Sequence, residues 1–227
     1  RSSLCAAARV ICLGASQREE LVASADLDAA RVVTMPIPVD TAFFQPRAKR
    51  DDARHTVLTV GKDLARDYAT FLEAVRPLPV DATIVAHPRN LERPELSSNV
   101  TLRSGLSFPE LRELYAGAAC VVLPQRSEGY VYGSEGGGLT ALLEAMAMGR
   151  PIVASDRAIL HDYVTDGVDA LLVPPEDPAA LRAAIERVLG DPELSRSIGS
   201  AARARVESAH TSQGFAARLA PLLRSVI

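Results

Sequence analysis

The chain has no tryptophan, and only five tyrosines and five phenylalanines among 227 residues. Its lysines and arginines are dispersed, with no basic tract interleaved with aromatic rings, and the net charge is −3. That combination argues against nucleic acid as a partner. Cysteine is scarce and odd in number: Cys5, Cys12 and Cys120 each sit in or beside an apolar stretch. They read as buried thiols in a reducing compartment rather than a disulfide framework, which makes the cytoplasm the default location. No apolar run approaches the roughly 18 residues that would span a bilayer. The first residues, RSSLCAAARVICLG, have neither the length nor the order of a signal peptide. A peripheral membrane contact is left open.

Several nucleotide and catalytic signatures are also missing. The turn in TVLTVGKDLARDY contains only Gly61, so the dinucleotide pattern G-x-G-x-x-G is absent. GSEGGGLT has glycines at Gly133 and Gly138, but Leu139 stands where a P-loop needs lysine. His55, His87, His161 and His210 are far apart and lack metal spacing, so they read as surface or satisfied residues. No nucleophile elbow is present. Nicotinamide oxidoreductases and P-loop ATPases lose support, and neither metal nor cofactor is expected.

What is present is an α/β pattern in a chain whose 48% hydrophobic content can fill a sizeable core. TVLTV at 56–60, ATIVA at 82–86, NVTLR at 99–103, CVVLP at 120–124, PIVAS at 151–155 and ALLVP at 170–174 read as strands covered on both faces. Between them lie helical stripes: Tyr68, Phe71, Leu72 and Val75; Leu111, Leu114, Tyr115 and Ala118; Leu181, Ala184, Ile185 and Val188. Ser107 with Glu110 makes a capping box, and Asp177-Pro178 and Asp191-Pro192 place an acidic cap before a first-turn proline. Alternation of this kind predicts a Rossmann-like, parallel, doubly wound sheet. Upstream, Arg9–Leu13 reads as a strand, Ser16–Ala25 as a helix and Arg31–Met35 as a strand, before MPIPVDTAFFQPRAKRDD breaks the pattern. Residues 1–36 therefore read as the end of a preceding α/β domain, 37–46 as a linker and 47–227 as a ligand-binding domain with C-terminal helices.

The segment from Val121 to Asp156 carries the chemistry: an apolar strand, a glycine-rich loop, a helix and a second strand. Gly136, Gly137 and Gly138 lack side chains, so backbone N–H groups at the helix start can approach phosphate oxygens. Leu139, Leu142, Leu143 and Met146 form the stripe of a helix buried on one side, and Gly149 with Pro151 ends it. Glu144 falls off that stripe. It lies roughly 9 Å along the helix from the glycines, about where a ribose offers hydroxyls to a carboxylate.

In these residues the chain resembles the nucleotide-sugar-binding half of a GT-B glycosyltransferase of family four, also called group one. RVICLGASQREEL resembles the close of that family's N-terminal domain, PIPVDTAFFQP its linker, and LTVGKDLARDYATFLEAV the first strand and turn of its C-terminal domain. GLTALLEAMAMGRPIVASD followed by DGVDALLVPPEDPAALRAAI is the most specific match. The resemblance implies two Rossmann-like domains facing a cleft, with a nucleoside-diphosphate sugar on the C-terminal one and a saccharide, lipid or small-molecule acceptor on the N-terminal one. It also implies transfer that retains anomeric configuration without an obligatory metal.

Carried over residue by residue, the resemblance sets Lys62, after Gly61, and Arg66 against the donor diphosphate. Glu144 becomes the second of the family's paired glutamates, holding ribose. The first is displaced: the family's spacing from Glu144 reaches Gly136, while Glu135 is one residue early and Glu128 in SEGY also resembles the motif's opening. Lys62, Arg66 and Glu135 are thus the candidate catalytic residues, and Gly61, Gly136, Gly137, Gly138, Leu139, Thr140 and Glu144 the candidate substrate-binding ones. Two other functions stay open: a nucleotide-sugar epimerase or phosphorylase on a similar fold, and a non-catalytic sugar-nucleotide-binding domain.

Overall fold

The computed structural model describes residues 6–25, 27–47, 55–91 and 96–225. Cys5 and part of the charged run after Pro46 lie outside them. The first unit is a small βαβ: β1 (Val10–Cys12), α1 (Ala15–Ala25) and β2 (Val32–Thr34), with β1 and β2 parallel. Its own core is small, centred on Cys12, Leu27 and Val32. It is tied to the rest of the chain through Tyr163, whose hydroxyl donates to Leu13 O at 2.8 Å, and through Ala15 N–H, which donates to Asp162 Oδ2 at 2.9 Å.

The main sheet has six strands, β3 (Thr56–Val60), β4 (Asp81–Val85), β5 (Val100–Arg103), β6 (Cys120–Leu123), β7 (Ile152–Ser155) and β8 (Leu171–Val173). Their order is β5-β4-β3-β6-β7-β8 and every pairing is parallel. The helices are α2 (Tyr68–Val75), α3 (Phe108–Gly117), α4 (Leu139–Ala147), α5 (Pro178–Gly190), α6 (Pro192–Ala209) and α7 (Ser212–Arg224). Among the described residues no helix is long and apolar enough to cross a membrane.

Strand alternation sends side chains into two cores. Leu58, Val121 and Ile152 join Tyr115 of α3, most of α4, and Ala202 and Val206 of α6 on one face. Val57, Val122 and Val153 join Phe71 of α2 and Leu181, Ile185 and Val188 of α5 on the other. The expected caps are in place. Ser107 and Glu110 form the reciprocal capping box, and Asp177 and Asp191 accept from the first N–H groups of α5 and α6.

Two expectations need correction. α4 is buried on nearly every side rather than on one, because it is wedged between the sheet, α3 and α6; Ala141, Glu144, Ala145 and Ala147 are buried along with its apolar stripe, and Thr140 stays exposed. His210 is not on the surface and is only partly satisfied: it is 3% exposed, stacked on Tyr163 with ring centroids 5.1 Å apart, and hydrogen-bonded to the Ile37 backbone, while its Nδ1 has no partner. Burial lowers its pKa.

From β3 the sheet grows one way through β4 and β5, then returns to the other side of β3 with β6, β7 and β8. The turn after β3 and the loop after β6 therefore diverge, and in such sheets this switch point at the carboxyl ends of the strands is where ligands sit.

Candidate functional site

A cavity of about 670 Å³ opens at that place, within the range of small-molecule sites. Its lining comes from the turns after β3, β4 and β5 and from the start of α4, and includes Gly61, Lys62, Arg66, Gly138, Thr140 and Glu144.

Arg66 reaches the cavity because its segment is clamped on both sides. Asp67 N–H donates to Pro124 O and Arg126 N–H to Ala65 O, while the Asp67 carboxylate caps α2 through Thr70. Arg66 is 3% exposed. Its Nη2 donates to Val60 O at 2.8 Å, but Nε and Nη1 are buried without a partner. The guanidinium lies between two glycines: a Cβ on Gly61 would fall 2.1 Å from Nε, and one on Gly138, whose φ is 95°, 3.1 Å from Nη2. A Cβ on Gly61 would push the guanidinium aside, and one on Gly138 would crowd it in a backbone conformation that strains any side chain. Burial lowers the Arg66 pKa, opposed by Tyr68, Tyr115 and Asp63 and reinforced by the charge of Arg157. A buried guanidinium with bonds unmade is costly, and an anion supplying oxygen acceptors relieves it.

Lys62 is exposed at the cavity edge, its carbonyl held by Asn90 Nδ2 at 3.0 Å. Beside it, Asp63 ties the turn to the glycine loop: Oδ2 accepts from Ser134 Oγ at 2.7 Å and Ser134 N at 3.1 Å, and Oδ1 from Ala65 N at 2.8 Å.

The three glycines do not act alike. Gly138 starts α4 with no side chain capping it, so the N–H groups that follow Leu139 and the helix dipole are available to an anion. Gly137 is buried; its N–H donates to Ser134 O at 3.0 Å and its carbonyl accepts from Gln125 Nε2. Gly136 packs against Leu13. Leu139 is fully buried in the core, so only its backbone faces the loop, and its N–H is turned to Gly136 O at 3.3 Å. Thr140 is exposed and lines the cavity.

Glu144 is 5% exposed although it lies off the apolar stripe. Its Oε2 accepts from the Tyr115 hydroxyl at 2.9 Å. Burial pushes the carboxyl up to about 7, the Tyr115 bond acting against the rise. It is held at the boundary between protonated and ionised forms.

Glu135 and Glu128 lie elsewhere. Both line a second cavity of about 290 Å³, with Ser16, Ser134 and Arg157. Glu128 Oε1 accepts from Ala158 N at 2.6 Å. Neither glutamate lines the first cavity. Sequence reasoning missed Asp63, Tyr115, Gln125 and Arg157. For Asp63 a faint signal existed, an acid directly after Lys62 in the turn; for Tyr115 and Gln125 there was none, because their partners are distant in sequence, and for Arg157 none, because tertiary packing alone buries it.

Comparison with known proteins places this geometry. A model of the family described as Glycosyl transferases group 1 matches residues 54–191. The MMP alpha-(1->4)-mannosyltransferase of Mycolicibacterium hassiacum is 31% identical over 205 residues, covering 85% of this chain and 48% of that protein. The D-inositol 3-phosphate glycosyltransferase of Frankia alni is 29% identical over 231 residues, covering 87% and 54%. The chain thus spans about half the length of the curated relatives it matches. Sucrose-phosphate synthase from Thermosynechococcus elongatus superposes with a TM-score of 0.84 at 24% identity, over 99% of this chain and 60% of that one. Anabaena HepE, solved with UDP and glucose, gives 0.80 at 19% identity, over 96% and 63%. The sequence match, joined to a parallel sheet with a cavity at its switch point, shows that the chain belongs to the group 1 glycosyltransferase family and has the fold of the C-terminal half of a GT-B protein.

Proposed function

We propose that this chain forms the donor half of a retaining glycosyltransferase. It holds a nucleoside-diphosphate sugar in the first cavity, while the preceding domain of the whole protein presents the acceptor, a saccharide, lipid or small molecule. The observation that carries this reading is Arg66, buried with two unpartnered guanidinium nitrogens in a cavity that buried Glu144 also lines. Diphosphate oxygens complete Arg66 and meet the uncapped start of α4, and Glu144 takes ribose hydroxyls. UDP with glucose in the structurally similar HepE supports the donor class.

During transfer the bond between the anomeric carbon and its phosphate oxygen breaks, the acceptor oxygen bonds to the same face, and the proton of the acceptor hydroxyl passes to the departing diphosphate. Negative charge grows on the departing diphosphate, where Arg66, Lys62 and the α4 N–H groups offset it. This grip works without a divalent ion. Buried free thiols at Cys12 and Cys120 fit a reducing cytoplasm.

A second reading, binding without transfer, is favoured by Glu135 facing the second cavity rather than the first. Thermal unfolding with UDP, GDP, ADP and their sugars tests donor binding, since a ligand of the folded state raises the melting temperature. Stabilisation by at least one diphosphate supports the donor reading, and no shift with any of them refutes it. Sugar release to added acceptor by the full-length protein separates transfer from binding alone.

A further inference from the structure

The second cavity lies between α1 and the loop of residues 127–135, and its lining combines two chemistries. Glu20, Glu128 and Glu135 contribute carboxylates from residues that are exposed or half-exposed. Arg157, by contrast, is 7% exposed, with Nε and Nη1 buried and lacking any hydrogen-bond partner. On α1, the Ser16 hydroxyl, from a residue that also lines the cavity, is likewise buried without a partner. Groups left this way cost free energy, most of all the charged one, and a ligand that completes them recovers it.

Simple ligands fail on charge or on hydrogen bonding. A bare inorganic anion suits Arg157 but is repelled by three carboxylates. A neutral sugar gives those carboxylates hydroxyl donors but offers the buried guanidinium only weak, uncharged acceptors. A sugar carrying its own negative group meets both needs at once. We infer that the second cavity binds an anionic sugar, its carboxylate or phosphate seated on Arg157 and its hydroxyls shared between Glu135, Glu20 and Ser16. Ala65 lines this cavity next to Arg66, and Glu135 shares a loop with Gly138 of the first cavity. The two sites thus flank one loop. That the anionic sugar is a substrate of transfer rests on the donor reading; that it binds here does not.

The test is a titration of the chain with D-glucuronate, D-glucose 6-phosphate, D-glucose and inorganic phosphate, followed by NMR shifts of backbone amides in residues 127–135. At least one anionic sugar should saturate at a concentration about tenfold or more below glucose and phosphate. Preference for glucuronate identifies a carboxylate, preference for the phosphate ester a phosphate, and equal binding of both shows that charge alone is read. Arg157→Gln should abolish the preference and raise the ligand-free melting temperature, because it deletes a buried charge whose hydrogen bonds are unmade. Arg157→Lys should keep the preference at reduced affinity. Glucose or phosphate binding as well as the anionic sugars, no sugar binding at all, or a fall in melting temperature with Arg157→Gln overturns the inference. UDP, GDP and ADP titrated in parallel separate the two claims. If one of them binds while no anionic sugar is preferred, only this inference fails; if none binds, the donor reading fails.

Discussion

The Tyr115 hydroxyl donates to Glu144 Oε2 at 2.9 Å, joining α3 to α4 beneath the first cavity. It is the one hydrogen bond recorded for the Glu144 carboxylate among the described residues, and burial has raised that carboxyl to about 7. An ionised carboxylate accepts hydrogen bonds only, so ribose hydroxyls select the charged form. Nucleoside binding should then strengthen as pH rises through about 7, with proton release. Calorimetry in buffers of differing ionisation enthalpy measures that release, and Glu144→Gln should abolish it.

The same shift fixes a stability trend with a definite sign. The folded-state value lies above the ordinary carboxyl value of 4.5, so the folded protein binds more protons than the unfolded chain between those limits. Stability from this group is complete below about 4.5, falls as pH rises through about 7, and is flat above. The loss is roughly 3 kcal/mol. Glu144→Gln should therefore be more stable relative to wild type at pH 8 than at pH 5 in urea unfolding; an equal difference at both would contradict the burial cost.

Arg66→Ala and Lys62→Ala should each weaken a nucleoside diphosphate more than the uncharged nucleoside, since only the diphosphate offers anionic oxygens. The Arg66 change should cost about 1.5–3 kcal/mol, typical of hydrogen bonds to charged groups. Exposed Lys62 should contribute less, and its share should shrink with added salt. Equal losses for nucleoside and diphosphate would mean the pair acts on something other than phosphate.

Gly138→Ala places a methyl 3.1–3.3 Å from the Arg66 guanidinium at a φ of 95°. It should destabilise the fold by about 1–2 kcal/mol and weaken diphosphate binding. Gly167→Ala is the control: it shares positive φ, a Cβ there has open space around it, and it does not line the cavity. Equal loss of diphosphate affinity in both variants would show that backbone strain, not contact with Arg66, is responsible.

The strands were legible because each is a short apolar run between turn residues; β3 begins and ends where the alternation placed it, and the others differ by about a residue. Caps at Ser107, Asp177 and Asp191 were legible because capping is local chemistry. Lys62, Arg66, Gly138, Thr140 and Glu144 meet around one cavity because they lie at the carboxyl ends of adjacent strands, which topology alone brings together. Partnerships across long separations were not legible. Asp63 meets Ser134 at a separation of 71 residues and Tyr115 meets Glu144 at 29, and no periodicity encodes either contact. The burial of Glu144 was hidden for a related reason: a helical stripe reports one packed face, whereas α4 is enclosed by the sheet, α3 and α6 together.

The central claim is that the switch-point cavity grips a nucleoside diphosphate through Arg66 and the start of α4 without a metal. Calorimetric titration of the chain with UDP, GDP and ADP, each with magnesium and with EDTA, tests it directly. The account predicts one-to-one binding of at least one of them with nearly the same affinity in both conditions. Binding that disappears in EDTA, or no binding in either, would contradict it.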